Sequence, residues 1–274
     1  MIATLAPVWN TEFEKKTLDR LIDQHAPHFP KSRQGAVRKP ITAEETDRFY
    51  TYWAGTAALD LFIIQACAKG IGLIDDLEFQ IFLTRQIGDD GAHAQAYRER
   101  IQAVTGRDPI EDMQREAKRQ WDLMGDLPYR NWLGFITFEI HYELHVVPTM
   151  VLNSRLATIG DPELSHQGAD RFLPDEALHR EGVAAWWRKR YRQASVHEKS
   201  ELREQLLALE EEGQQLRQEE LWQRWRDVRL ASGLNNTGIE KIYDGWRSEV
   251  IRYLFDRSVP DLSLVSDWST WGEP

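Results

Sequence analysis

Two short stretches decide how this chain reads: QIGDDGAHAQAY at residues 86–97 and FLPDEALHREG at residues 172–182. In the first, Asp90 and His93 are three residues apart, and in the second Glu176 and His179 repeat the spacing. On a helix, side chains three apart leave from one face and can reach a common point. An acid-x-x-His pair is common on helices by chance. Here it recurs, and each time an Asp, Asp89 or Asp175, directly precedes the acid. Carboxylate and imidazole are both ligands for divalent transition metals, so the four residues are candidate metal ligands.

The sequence around both motifs has helical period with clear start and stop signals, and strand-type alternation is hard to find. Thr42 and Glu45 form a capping box that opens a helix running to about Lys69 and stopping at Gly70. Asp75 or Asp76 caps a second helix, Leu77 to Thr105, which Gly106 ends. Asp108-Pro109 opens a shorter one toward Met124. A long helix is predicted from Arg130 to Ile159, with Pro148 kinking or splitting it. After a loop at Gly160-Asp161-Pro162, Pro174 is read as the start of the helix that carries the second motif. Residues 197–229 read as a solvated amphipathic helix or hairpin with Leu202, Leu206, Leu209, Leu216 and Leu221 as its apolar stripe. A last helix covers Ile239 to Asp256, before a tail ending Trp268-Ser-Thr-Trp271. The expected organisation is an irregular segment at 1–41, a helical bundle at 42–195, and C-terminal helices packed on it at 196–274.

Two other helices carry acids in apolar settings. Asp60 lies in TAALDLFIIQA (residues 56–66) and shares a face with Trp53, Ala57 and Ile64. FITFEIHYELHVV (residues 135–147) carries Glu139 and Glu143, four apart, with Phe135, Ile136 and Val146 on the same face. An ionised carboxylate in such surroundings is costly unless it is paired or bound to metal. The bland readings are a core salt bridge for Asp60 and a surface acid for whichever Glu is not a ligand, and the choice between Glu139 and Glu143 stays open. His141 and His145 flank Glu143, but H-Y-E-L-H lacks the Glu immediately after the first His that a zinc-protease helix needs. One of the two could instead be an extra metal ligand.

Along the chain the order is acid, acid-x-x-His, acid, acid-x-x-His. In this order the sequence resembles the ferritin-like superfamily, and within it the oxygen-activating di-iron carboxylate proteins: multicomponent monooxygenase hydroxylases, ribonucleotide reductase small subunits and arylamine N-oxygenases. The resemblance covers roughly Phe49 to Trp187 and includes the thirty-residue step from Asp60 to Asp90. It implies an all-α, ferritin-like four-helix bundle with additional C-terminal helices. It also implies two metal ions, iron first and manganese as the alternative, held by Asp60, Asp90, His93, Glu139 or Glu143, Glu176 and His179. Asp89 and Asp175 become candidates to orient a ligating His through its second ring nitrogen. Tyr97, four residues after His93, stands where reductase small subunits carry a radical tyrosine; its bland reading is a core tyrosine. This chain departs from the pattern in having Asp at 60 and 90 where Glu is commoner. It also lacks the Arg frequent inside each motif.

The function implied is oxidation of a small organic substrate by dioxygen: hydroxylation, N-oxygenation, desaturation or oxidative cleavage. Trp53, Phe135, Phe138 and Tyr142 are expected to line the pocket. No ferredoxin or reductase motif is present, so an external electron donor is implied. The alternatives are a catalase-like or storage-like metal protein and a non-catalytic bundle subunit of an oxygenase. The formal charge of −10 argues against nonspecific nucleic-acid binding. The lone Cys67 excludes a disulfide framework or thiolate zinc site within one chain. With no signal-like or membrane-spanning stretch, the reading is a cytoplasmic protein, with a homodimer entertained as its assembly.

Overall fold

The structure is a computed structural model that describes residues 8–29, 42–145, 147–156, 161–232, 236–259 and 261–269. Among these residues every regular element is helical and no strand occurs. The expected helix end at Ile159, the turn residue Gly160 and the last tail residue Trp271 lie outside them. No described helix is long and apolar enough to cross a membrane. The chain divides into two compact units, one of Ala36–Phe135 with Ile159–Glu176, the other of Met1–Gly35, Ile136–Thr158 and Ala177–Pro274. Residues 42–195 contribute to both units.

In the first of these units, α2 (Thr46–Gly70), α3 (Leu77–Thr105) and α4 (Ile110–Met124) begin and end close to where the sequence places them. The Thr42 amide donates to Glu45 at 3.0 Å, and Asp76 accepts from the Phe79 amide at 3.1 Å. Gly106 closes α3 with φ +71°, a left-handed conformation that costs glycine nothing. α2 packs along both α3 and α4. Small residues at the contact, Ala57, Ala58 and Ala94 with Met113, let the helices approach, and Phe49, Ala54, Ile101 and Leu164 form a second cluster.

Beyond α4 the sequence reading needs correction. Instead of one helix from Arg130, the chain forms α5 (Leu127–Arg130), α6 (Trp132–Glu139), a π-helical turn (Ile140–Leu144) and α7 (Val147–Leu156). The break at Asn131 has a local cause: its backbone is extended, and its side chain accepts from the Leu133 and Gly134 amides at 3.0 and 2.9 Å, starting a new helix. Pro148 does split the run, sitting in the first turn of α7, where its missing N–H is harmless. Pro174, by contrast, does not start the second-motif helix. Helical backbone runs from α8 (Pro162–Gln167) through a π turn (Gly168–Phe172) into α9 (Leu173–Gln193), and the proline sits at the π-to-α junction. There the regular i to i−4 bonding that proline would break is already altered.

The other unit contains a helix the sequence reading missed. α1 (Thr11–His25), inside the segment expected to be irregular, is capped by Asn10 and buries Leu18, Leu21 and Ile22. It packs on α11 (Asn236–Leu254). The approach is close: a Cβ on Gly245 would stand 2.5 Å from Leu21 Cδ2. Glu14 of α1 is buried, accepting from Trp9 Nε1 at 2.7 Å and Arg180 Nε at 2.6 Å.

α10 (Val196–Ser232) is one continuous helix, and its inward stripe is not the leucine row. Of those leucines Leu206 and Leu221 are buried; the rest of the buried face is Glu210, Gly213, Gln214, Arg217, Glu220, Trp222 and Trp225. Glu210 is held by Arg247, at 2.5 Å from Nε and 2.6 Å from Nη2, and lies 3.1 Å from His145 Nε2. His141 Nε2 donates to the Glu210 carbonyl at 2.8 Å, and Arg217 donates to the His141 carbonyl at 2.7 Å while lying 3.7 Å from the Tyr142 ring. Burial would raise the Glu210 carboxyl, but hydrogen bonds from His145 and Arg247 outweigh it and hold the group well below its ordinary value. Burial, and for His141 the neighbouring His145, lowers both imidazoles, so they stay neutral.

This network makes two predictions. Glu210→Gln leaves the buried Arg247 guanidinium with only the half-exposed Glu211, 2.7 Å from its Nη2, as counter-charge, and should cost up to about 3–5 kcal/mol in urea unfolding at pH 7, whereas Glu210→Leu with Arg247→Met recovers most of the loss. Because the folded carboxyl is depressed, its contribution is complete above pH 4.5 and drains as the pH falls below that value, a slope the Gln variant should lack. Gly213→Ala would put a Cβ 2.5 Å from His141 Cδ2, and should lower stability by about 1–3 kcal/mol in the same assay.

Candidate metal centre

α3 presents Asp90 and His93 from successive turns, and Glu176 comes from the start of α9. One ligand atom from each of these three lies within 4.8 Å of the others. Asp90 and His93 side chains are each 1% exposed, and Glu176 is 15% exposed. His93 Nδ1 is 3.2 Å from Glu176 Oε1 and 3.9 Å from Asp90 Oδ1, yet makes no hydrogen bond to either. Its other nitrogen, Nε2, is 3.2 Å from Asp175 Oδ2. With Nε2 turned to Asp175, Nδ1 is the ring nitrogen that faces the two acids.

Asp60 of α2 is buried in the same unit, and its Oδ2 has no hydrogen-bond partner. Burial, reinforced by the Glu176 charge, pushes its carboxyl well above the usual range. Tyr97 answers to the same field: burial first, then the charges of Asp60 and Glu176, raise its phenol well above the ordinary value. Carboxylates gathered around an imidazole nitrogen form an arrangement that a cation relieves. The donor set, oxygen-rich with one nitrogen, has the chemistry to hold a divalent metal ion.

The remaining predicted residues belong to the other unit. Glu139 ends α6, Glu143 lies in the π turn and His179 in α9; all three are buried. A carboxylate oxygen of Glu143 and a ring nitrogen of His179 come within 4.8 Å of one another, while Glu139 joins no such group among the described residues. Asp89 pairs with Arg85 at 3.3 Å. Of the residues expected to line a pocket, Trp53 stacks on Tyr97 at 5.2 Å, Phe135 packs against Gly70, and Phe138 and Tyr142 lie 4.8 Å apart. His141, His145 and Glu210 also have metal-ligand chemistry and proximity. Arg247 already engages both Glu210 oxygens, however, so a divalent ion there would face a fixed, buried positive charge. Sequence reasoning missed Glu210 because nothing local marks an acid inside a Glu- and Gln-rich helix as buried.

Comparison of the chain with models of protein families, with curated proteins and with solved structures found no match.

The geometry around His93 can be checked by anaerobic titration with Co(II), followed by calorimetry. His93→Ala should abolish binding at this centre. Asp175→Asn, which removes the negative charge facing His93 Nε2 without touching a ligand, should weaken binding by about 10- to 100-fold.

Proposed function

We propose that this chain is a non-haem di-iron oxidoreductase of the ferritin-like class, a four-helix bundle with appended C-terminal helices that uses dioxygen and an external electron donor to oxidise a small organic substrate. The observation that carries the reading is the convergence of Asp90, His93 and Glu176, with Asp60 buried in the same unit and its carboxyl raised by burial and by the Glu176 charge. The motif order from Asp60 to His179, with Glu143 and His179 buried and close to each other, supports a second ion.

When bound, ferrous ions would supply the reducing site at which dioxygen is activated. Asp60, Asp90 and Glu176 balance positive charge, and His93 supplies a nitrogen ligand whose direction Asp175 fixes. Tyr97 keeps its phenol proton, held there by burial and by the charges of Asp60 and Glu176. The aromatic rings of Phe49, Trp53, Tyr97 and Phe172 exclude water from this side.

The test is metal analysis after anaerobic reconstitution with ferrous iron, followed by an oxygen pulse. Two ions per chain and rapid oxygen uptake, both lost in Asp90→Asn, are expected. A chain that takes up no iron, or whose reduced form leaves oxygen untouched with every donor offered, would overturn the reading, and rapid disproportionation of peroxide without a substrate would replace it with a catalase-like one.

A further inference from the structure

Glu176 reaches the centre from a helical run that is not α throughout. The turn before α9, Gly168–Phe172, is π-helical. A π turn inserts one residue into the helical repeat and re-aims the side chains around it, an arrangement that recurs at functional sites. Phe172, the last residue of that turn, is 5% exposed. Its ring centroid lies 4.6 Å from the His93 imidazole and 4.9 Å from the Tyr97 ring. Tyr97 in turn stacks on Trp53. The centre is closed over Asp90 and His93, whereas Asp175 and Glu176, three and four residues beyond Phe172, keep 22% and 15% of their side-chain surface exposed.

We infer that Phe172 is the specificity-determining residue of this centre: its ring limits the size of the molecule that reaches the positions beside His93. The inference rests on the metal-centre reading above. The imidazole does not need the ring for its orientation, because the contact between Nε2 and Asp175 already sets that. What the ring does is pack against both His93 and Tyr97, four residues before Glu176, one of the partly exposed acids of the centre. A small, linear molecule such as dioxygen needs little of the space the ring occupies; a planar ring cannot reach His93 unless Phe172 yields.

The experiment uses the full chain loaded with Co(II), whose visible absorption reports a new ligand without any turnover, and follows entry of azide and of imidazole by stopped flow. In Phe172→Ala, imidazole should enter at least about tenfold faster than in the natural chain, with azide changed by no more than about twofold, because the barrier removed is steric. Phe172→Trp should slow both. Phe172→Leu keeps an apolar side chain in place, should lie between the natural chain and the Ala variant, and decides the matter with the Trp variant if the Ala variant fails to fold. Equal imidazole rates in the natural chain and in the Leu and Trp variants, all of them holding Co(II), would overturn the role of Phe172 and leave the metal centre standing. A natural chain that takes up no Co(II) would overturn both.

Discussion

A carboxylate withdrawn from water must be met by positive charge, by a proton or by several hydrogen bonds, and this molecule meets its buried acids in two different ways. Glu14 and Glu210 each lie against an arginine, Arg180 and Arg247, at 2.6 and 2.5 Å. Those pairs fix helices to one another: Glu14 joins α1 to α9, and Glu210 joins α10 to α11. Asp60 is treated differently. The charge that acts on it is that of another carboxylate, Glu176, and one of its oxygens has no hydrogen-bond partner. The contrast separates an acid that is part of the scaffold from an acid that is part of a site.

The same contrast applies to the histidines. His141 and His145 sit one turn apart in a fully buried setting, and their Nε2 atoms are directed at Glu210. Arg247 has already neutralised that carboxylate, so the histidines act as neutral hydrogen-bond donors within a structural network. His93 directs Nε2 at Asp175 and Nδ1 at Asp90 and Glu176. One nitrogen is oriented by a carboxylate outside the cluster and the other faces into it, the division of labour that a ligating histidine needs. Burial alone would not tell these cases apart, since all three rings are hidden from solvent.

Irregular helix marks both regions. π turns fall at Ile140–Leu144, which carries His141 and Glu143, and at Gly168–Phe172, just before Asp175 and Glu176. Neither was foreseen, because a single inserted residue leaves no mark in composition. Its effect is to turn polar side chains inward on a helix whose sequence would otherwise place them elsewhere.

The sequence by itself determined that the chain is helical, where α2, α3 and α4 begin and end, and that Asp60, Asp90, His93 and Glu176 are the acids and imidazole to watch. Those features depend on local spacing and on caps such as Thr42, Asp76 and Gly106, which are legible without knowing what lies opposite. Only the tertiary structure decided that the polar face of α10 is its buried face, that α1 forms and packs, and that Asp175 belongs with His93. Each of these depends on partners far away in sequence, Arg247 for Glu210, α11 for α1 and α3 for Asp175. Whether a charged side chain faces water or the interior is fixed by the counter-charge it meets, and that counter-charge is supplied by the fold.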